Sequence, residues 1–118
     1  MKQYVGTDII EIARIKDAIE KFGESFLTRI YTRDELTYFR AKPPSLAARF
    51  AGKEAVFKAL DLDAINFQEI EILSDAKGRP TVKLYGKTRE HADELGIQDL
   101  DVSLSHSHDY AVACAICQ

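Results

Sequence analysis

From Leu46 to Leu60 the chain offers almost no surface suited to water. At about 100° per residue this stretch reads as a helix with Leu46, Phe50, Val56, Phe57 and Leu60 on its bulky face. Ala47, Ala48, Ala51, Ala55 and Ala59 cover most of the remainder. A helix apolar on every side is expected in an interior. Yet Glu54 and Lys58, four apart on one stripe, stand between the bulky face and the alanines. An isolated ion in an apolar interior is costly unless it is paired or neutralised. The helix therefore brings charge into a dense interior, or to the edge of a cleft, where partners must exist.

The 118 residues suit one domain spanning 1–118, long enough for a real core. A net charge of -3 supplies no basic excess for phosphate backbones, which argues against a general nucleic-acid binder. A local basic site for one phosphorylated ligand is still compatible with that charge. No apolar run approaches the roughly 18–20 residues of a membrane span. Met1 to Gly6 enters a strand-like pattern without a signal-peptide core, so a cytoplasmic protein with no membrane partner is expected. Cys114 and Cys117 form a C-x-x-C on a predicted strand, where residues three apart point to opposite faces. Buried reduced thiols are expected there rather than a redox pair or half a zinc site.

The pattern predicts a strand at about 3–12, a helix at 13–22 and a short helix at 24–30. Thr32-Arg33-Asp34-Glu35 is a capping box and opens a third helix to about Arg40. Lys42-Pro43-Pro44 is expected to break the chain, with Ser45 capping the long helix 46–60. Alternation over 68–73 and 81–85 flanks the turn chemistry of Asp75 to Pro80. A helix at 87–95 closed by Gly96 precedes a final hairpin of 101–105 and 110–117. Hairpin-joined strands with helices gathered in the first half indicate an α+β fold.

Asp8 shares a strand face with Tyr4, Ile10 and Ile12, a poor place for an unpaired carboxylate. It reads either as a metal ligand or general base, or as a carboxylate bound by an arginine or by backbone N–H groups. Glu54 and Lys58 form a simple i, i+4 pair if exposed. In apolar surroundings, Asp8 and Glu54 together suit one hard cation such as Mg²⁺, with substrate phosphates and water completing the octahedron. Lys58 beside them would supply a point charge to phosphate oxygens. Lys77-Gly78-Arg79-Pro80 is either a plain hairpin turn or a loop that contacts a phosphate or base. His106 and His108, in Ser103-Leu104-Ser105-His106-Ser107-His108, end an apolar strand or touch a ligand. No further metal ligand or triad partner accompanies them. Arg14, Lys16 and Lys21 are a solvated helix face or, for an acidic partner, a docking patch.

Taken together, Gly6-Thr7-Asp8 with Arg14-Ile15, Arg49-Phe50-Ala51-Gly52-Lys53-Glu54-Ala55-Val56-Phe57-Lys58-Ala59, Gly78-Arg79-Pro80, Ser103 to Ser107 and Tyr110-Ala111-Val112-Ala113 resemble the holo-acyl-carrier-protein synthases. These are the short, stand-alone 4′-phosphopantetheinyl transferases, and the resemblance runs from about residue 4 to 116. It implies an antiparallel sheet packed against one long central helix with shorter helices around it. It also implies transfer of 4′-phosphopantetheine from coenzyme A to a serine of apo acyl carrier protein, releasing adenosine 3′,5′-bisphosphate, in support of fatty acid biosynthesis. By the same resemblance, Asp8 and Glu54 are Mg²⁺ ligands and Lys58 holds the phosphates. Glu54 accepts the serine proton. Arg49, Gly78, Arg79, Pro80 and His106 contact the nucleotide end of coenzyme A, and Arg14 meets the acidic carrier protein. The short type resembles a homotrimer with sites between subunits.

One departure is Gly52, where the family more often has alanine, at a helix cost of roughly 1 kcal/mol. It is expected to be tolerated or to allow close packing. Two alternatives to transfer stand beside it. One is hydrolysis of coenzyme A or a related diphosphate at the same site, and the other is a non-catalytic coenzyme A or carrier-binding subunit.

Overall fold

Strand β1 (Tyr4–Glu11) runs straight into helix α1 (Ile12–Phe22), and α2 (Glu24–Ile30) and α3 (Arg33–Phe39) follow. These come from a computed structural model that describes residues 2–118. The Thr32 capping box forms as expected: the hydroxyl accepts from Glu35 N, and the Glu35 side chain accepts from Thr32 N. The long helix α4 (Pro43–Ala59) leads through a 3₁₀ turn (Phe67–Glu69) to the hairpin β2 (Ile70–Ser74) and β3 (Pro80–Leu84). Helix α5 (Gly86–Glu94) and the hairpin β4 (Leu100–His106) and β5 (Tyr110–Cys117) complete the chain.

Two boundaries differ from the sequence expectation by more than one residue. Pro43 and Pro44 begin α4 instead of breaking the chain before it, so Ser45 lies inside the first turn and caps nothing. Proline lacks an N–H that the first turn leaves unpaired anyway, and its φ is already helical. The alternation at 68–73 starts a strand only at Ile70. Before it, the Asn66 side chain accepts from Gln68 N and winds the segment into the 3₁₀ turn.

All strand pairs are antiparallel. β5 is central, with β1 on one side and β4 on the other, and β2–β3 form a separate two-stranded sheet. Ala113 of β5 pairs with Asp8 on β1 and with Leu104 on β4. Helix α4 packs on β1 and β5 and also touches β2, β4, α1 and α3, so it is the hub that the apolar pattern requires. Leu46, Ala47, Ala51, Ala55, Val56 and Leu60 are fully buried. The architecture is α+β.

Small residues set the contact between α4 and the sheet. A Cβ on Gly6 would lie 2.7 Å from Ala59 N and nearer still to the Ala55 carbonyl oxygen. Backbone, not a movable side chain, fills that space. Gly52 is likewise a packing choice: a Cβ there would sit 2.6 Å from Ile72 Cδ1 and 3.0 Å from Leu104 Cδ2. The cysteines alternate as expected on β5. Cys117 is buried and Cys114 half-buried on the other face, both as free thiols, and burial pushes Cys117 up to about 11.

Gly6→Ala should lower stability by about 3 kcal/mol, because overpacking against backbone cannot relax by rotamer change. A thermal melt checks this, and an unchanged midpoint would mean that α4 can slide away from β1 freely.

Candidate functional site

Asp8 follows Gly6 by two residues, so it occupies the same inward face of β1, and Glu54 adjoins Ala55 where α4 touches that strand. The close approach thus puts two carboxylates at one place. Lys58 lies one turn along α4 and donates to Asp8 Oδ1 at 3.1 Å and to Thr7 O at 3.0 Å. The Asp8 side chain is 17% exposed and Lys58 50%, so the group sits at the rim of the interior, open to a ligand. Asp8 is bound by this lysine, not by the arginine or backbone donors considered from sequence. Lys58 bonds to Asp8, not to Glu54 in an i, i+4 pair. Loss of water, and then the charge of Asp8, push the Glu54 carboxyl above its ordinary value, while Lys58 pulls the other way. Two like charges share one ammonium here, an arrangement that favours a further cation.

The remaining candidates stand elsewhere in the chain. Arg49 leaves α4 about 140° around the axis from Glu54, at 100° per residue. It meets Ile72 and Ser74 of β2 and the ring of Phe39. Gly78 and Arg79 lie in the exposed β2–β3 turn and Pro80 begins β3, with Gly78 at φ 84 and Arg79 3.4 Å from Asp101 on β4. Asp75 Oδ1 accepts from both Lys77 N and Arg79 N and shapes that turn. His106 is exposed at the end of β4, on the strand separated from β1 by β5. Arg14 is exposed on α1, whose inward side carries Ile12 and Ile15.

The charge that α4 does carry into the interior is Lys53. Its ammonium and the Glu35 carboxylate are 0% exposed and 2.6 Å apart. Lys53 Nζ also donates to Ile30 O at 2.8 Å and Phe67 O at 2.9 Å, which uses all three of its protons. Glu35 accepts in addition from Thr32 N and Ile72 N, so neither ion lacks a partner. Around the pair, Thr32 donates to Glu71 at 2.6 Å, Tyr85 donates to the same carboxylate, and Tyr31 O–H donates to Leu46 O. Burial, with the Glu35 charge, pushes the Tyr31 phenol up, while burial pulls Lys53 down against the opposing pull of Glu35. Sequence reading overlooked this network. The signal was the spacing of Lys53, seven residues from both Leu46 and Leu60 and so in the middle of the bulky face.

A half-buried carboxylate pair with a lysine, at the contact of a long helix and an antiparallel sheet, suits a transferase acting on phosphorylated donors. The comparisons with known proteins narrow that class. The family model of the 4′-phosphopantetheinyl transferase superfamily matches residues 4–115, and the chain belongs to that superfamily. The holo-[acyl-carrier-protein] synthase of Dehalococcoides mccartyi (strain CBDB1) is 52% identical over 116 residues, covering 98% of each chain. That of Aquifex aeolicus (strain VF5) is 48% identical, covering 94% of each. Among solved structures, the Helicobacter pylori holo-[acyl-carrier-protein] synthase in complex with coenzyme A matches with a TM-score of 0.88 at 33% identity, covering 97% of this chain and 99% of that one. The Neisseria meningitidis synthase matches with a TM-score of 0.89 at 35% identity, covering 98% and 97%.

Lys53→Met should cost about 3–5 kcal/mol, since it strands the Glu35 carboxylate without its counter-ion. Adding Glu35→Gln to that variant removes the stranded charge and keeps the capping-box acceptor. Denaturant titration should therefore find the double variant more stable than Lys53→Met alone. The reverse order would mean that the pair is not what stabilises this interior.

Proposed function

We propose that this chain is a holo-acyl-carrier-protein synthase. It transfers 4′-phosphopantetheine from coenzyme A to a serine of apo acyl carrier protein and releases adenosine 3′,5′-bisphosphate. The observation that carries the reading is the juxtaposition of Asp8, Glu54 and Lys58 in a chain similar over its whole length to synthases of that name. The chain acts as one transferase domain, 1–118, in the cytoplasm and in support of fatty acid biosynthesis. Its two free cysteines suit a reducing compartment. No described helix is long and apolar enough to cross a membrane.

In the reaction the serine oxygen forms a bond to the phosphorus that bears the pantetheine arm. The bond from that phosphorus to the bisphosphate oxygen breaks. Glu54 is the group we assign to accept the serine proton, since it stands with Asp8 and Lys58 at the rim of the interior, open to a ligand. Lys58, exposed over half its side chain beside Asp8, meets the charge that builds on the leaving phosphate. Asp8 holds Lys58 in place. Asp8 and Glu54, close enough for the charge of one to act on the other, are the donors that would hold Mg²⁺, which takes one or two carboxylates and leaves its other positions to phosphates and water. Bound there, Mg²⁺ would offset charge on the diphosphate oxygens.

The assembly we infer is a homotrimer with sites between subunits. Val5 and Ile9 on β1 are 60% and 62% exposed, and Ile116 and Val112 opposite them on β5 are 43% and 42% exposed. A sheet face of paired, exposed aliphatic residues is suited to other copies of the chain. Arg49 and Glu54 point to different sides of α4, so contacts to one coenzyme A from both would come from two subunits. With Arg79, Gly78, Pro80 and His106, Arg49 serves the nucleotide end. Arg14 meets the acidic carrier protein, which makes association sensitive to salt.

Incubation with coenzyme A, Mg²⁺ and an apo carrier protein should raise the carrier mass by about 340 Da, one phosphopantetheine unit. Free phosphopantetheine without carrier modification would point to hydrolysis, and unconsumed coenzyme A would sink both enzymatic readings. Glu54→Gln should lower kcat by roughly 100-fold or more at an unchanged melting temperature. Retained turnover would remove Glu54 from proton transfer.

A further inference from the structure

Arg49 is anchored along one edge, stacked on one face and open at one corner. Its Nε donates to Ile72 O at 3.2 Å and its Nη2 to Ser74 Oγ at 2.8 Å. The guanidinium lies 3.7 Å from the centre of the Phe39 ring, and the residue as a whole is 7% exposed. No hydrogen bond among the described residues uses Nη1, yet no buried side-chain polar atom lacks a partner. Nη1 therefore reaches the surface. A guanidinium whose plane and azimuth are already set loses little freedom on binding an anion. Ser74 also pairs with Pro80 across the hairpin, and Asp75 beside it shapes the turn that bears Arg79. The hydroxyl that holds Arg49 is thus the root of the Lys77–Pro80 turn.

We propose that Ser74 and Phe39 are positioning residues that present Arg49, beside the Lys77–Pro80 turn, to the 3′-phosphate of coenzyme A. The proposal rests on the reading that coenzyme A is the donor. That molecule carries two anionic groups, the diphosphate whose P–O bond breaks and the phosphate monoester on the ribose. The diphosphate belongs with Asp8, Glu54 and Lys58. Arg49 points to another side of α4, so the monoester is the group left for it. Ser74 itself touches no reacting atom. Its hydroxyl fixes Nη2, the Phe39 ring fixes the plane, and Nη1 is turned outward as a result.

Steady-state kinetics with coenzyme A and with 3′-dephospho-coenzyme A test this. Ser74→Ala should raise KM for coenzyme A about five-fold, with kcat held within about two-fold. KM for the dephospho donor should stay at its wild-type value. Ser74→Thr, which keeps the hydroxyl, should behave as wild type. In an Arg49→Ala background, Ser74→Ala should have no further effect. An unchanged KM for coenzyme A, an equal rise for both donors, or losses that add in the Arg49→Ala background would overturn the positioning role. If the wild-type protein transfers from neither donor, the donor reading falls and takes this proposal with it.

Discussion

The contact of β1 with α4 at Gly6 governs everything else in this protein. A strand and a helix normally hold their backbones apart by the side chains between them, whereas here the space beside Gly6 is filled by the Ala55 carbonyl and Ala59 amide. That approach requires glycine on the strand and alanines on the helix, and the chain supplies both. Its chemical consequence follows from spacing alone. Strand residues two apart share a face, so Asp8 emerges beside the contact, and Glu54 emerges next to Ala55 on the helix. Two carboxylates that would repel at this range are kept together because the backbones beneath them cannot separate. Lys58 offsets part of the repulsion, and the remainder favours a bound cation.

A buried ion pair secures the far side of the same helix. Lys53 is joined to the ends of α2 and of the 3₁₀ turn through carbonyls, and to α3 and β2 through Glu35. Such a pair adds little net stability compared with well-packed apolar residues, but breaking one half of it is costly. Its value here is directional. Apolar packing alone would let α4 rotate or slide among similar alanines. The Lys53–Glu35 bond, with four further hydrogen bonds from the pair to Ile30 O, Phe67 O, Thr32 N and Ile72 N, allows one register. Rotation of α4 by one residue would carry Glu54 away from Asp8.

Much of this was legible in the sequence. The capping box at Thr32, the alternation around Cys114 and Cys117 and the all-round apolar helix follow from local patterns, and each reappears in the structure. The start of α4 was misread because Pro-Pro marks a stop in most positions but is well suited to the first turn of a helix. Glu54 and Lys58 drew attention as charges in apolar surroundings, but the deeply buried charge is their neighbour Lys53. The helical wheel places Lys53 between Leu46 and Leu60, and taking the apolar face from apolar residues alone hides it. Glu35 was recognised only as a cap. Its second role depends on contacts with Lys53 and Ile72, 18 and 37 residues away, which no local window contains.

The same helix also explains why the candidate contacts divide into two groups. Along α4, Arg49 and Glu54 are close in sequence, yet each faces a different layer of the fold: Arg49 bonds to β2 and stacks on α3, while Glu54 feels the charge of Asp8 on β1. A rigid hub with distinct partners on each side cannot turn both residues toward one ligand within a single chain. An extended donor with anionic groups at two positions matches that constraint if neighbouring copies bring one layer of each together. The exposed aliphatic residues of β1 and β5, on the sheet face turned away from α4, offer a surface for such copies. Burying most of α4 and dividing its charged residues between layers are then two results of one packing arrangement.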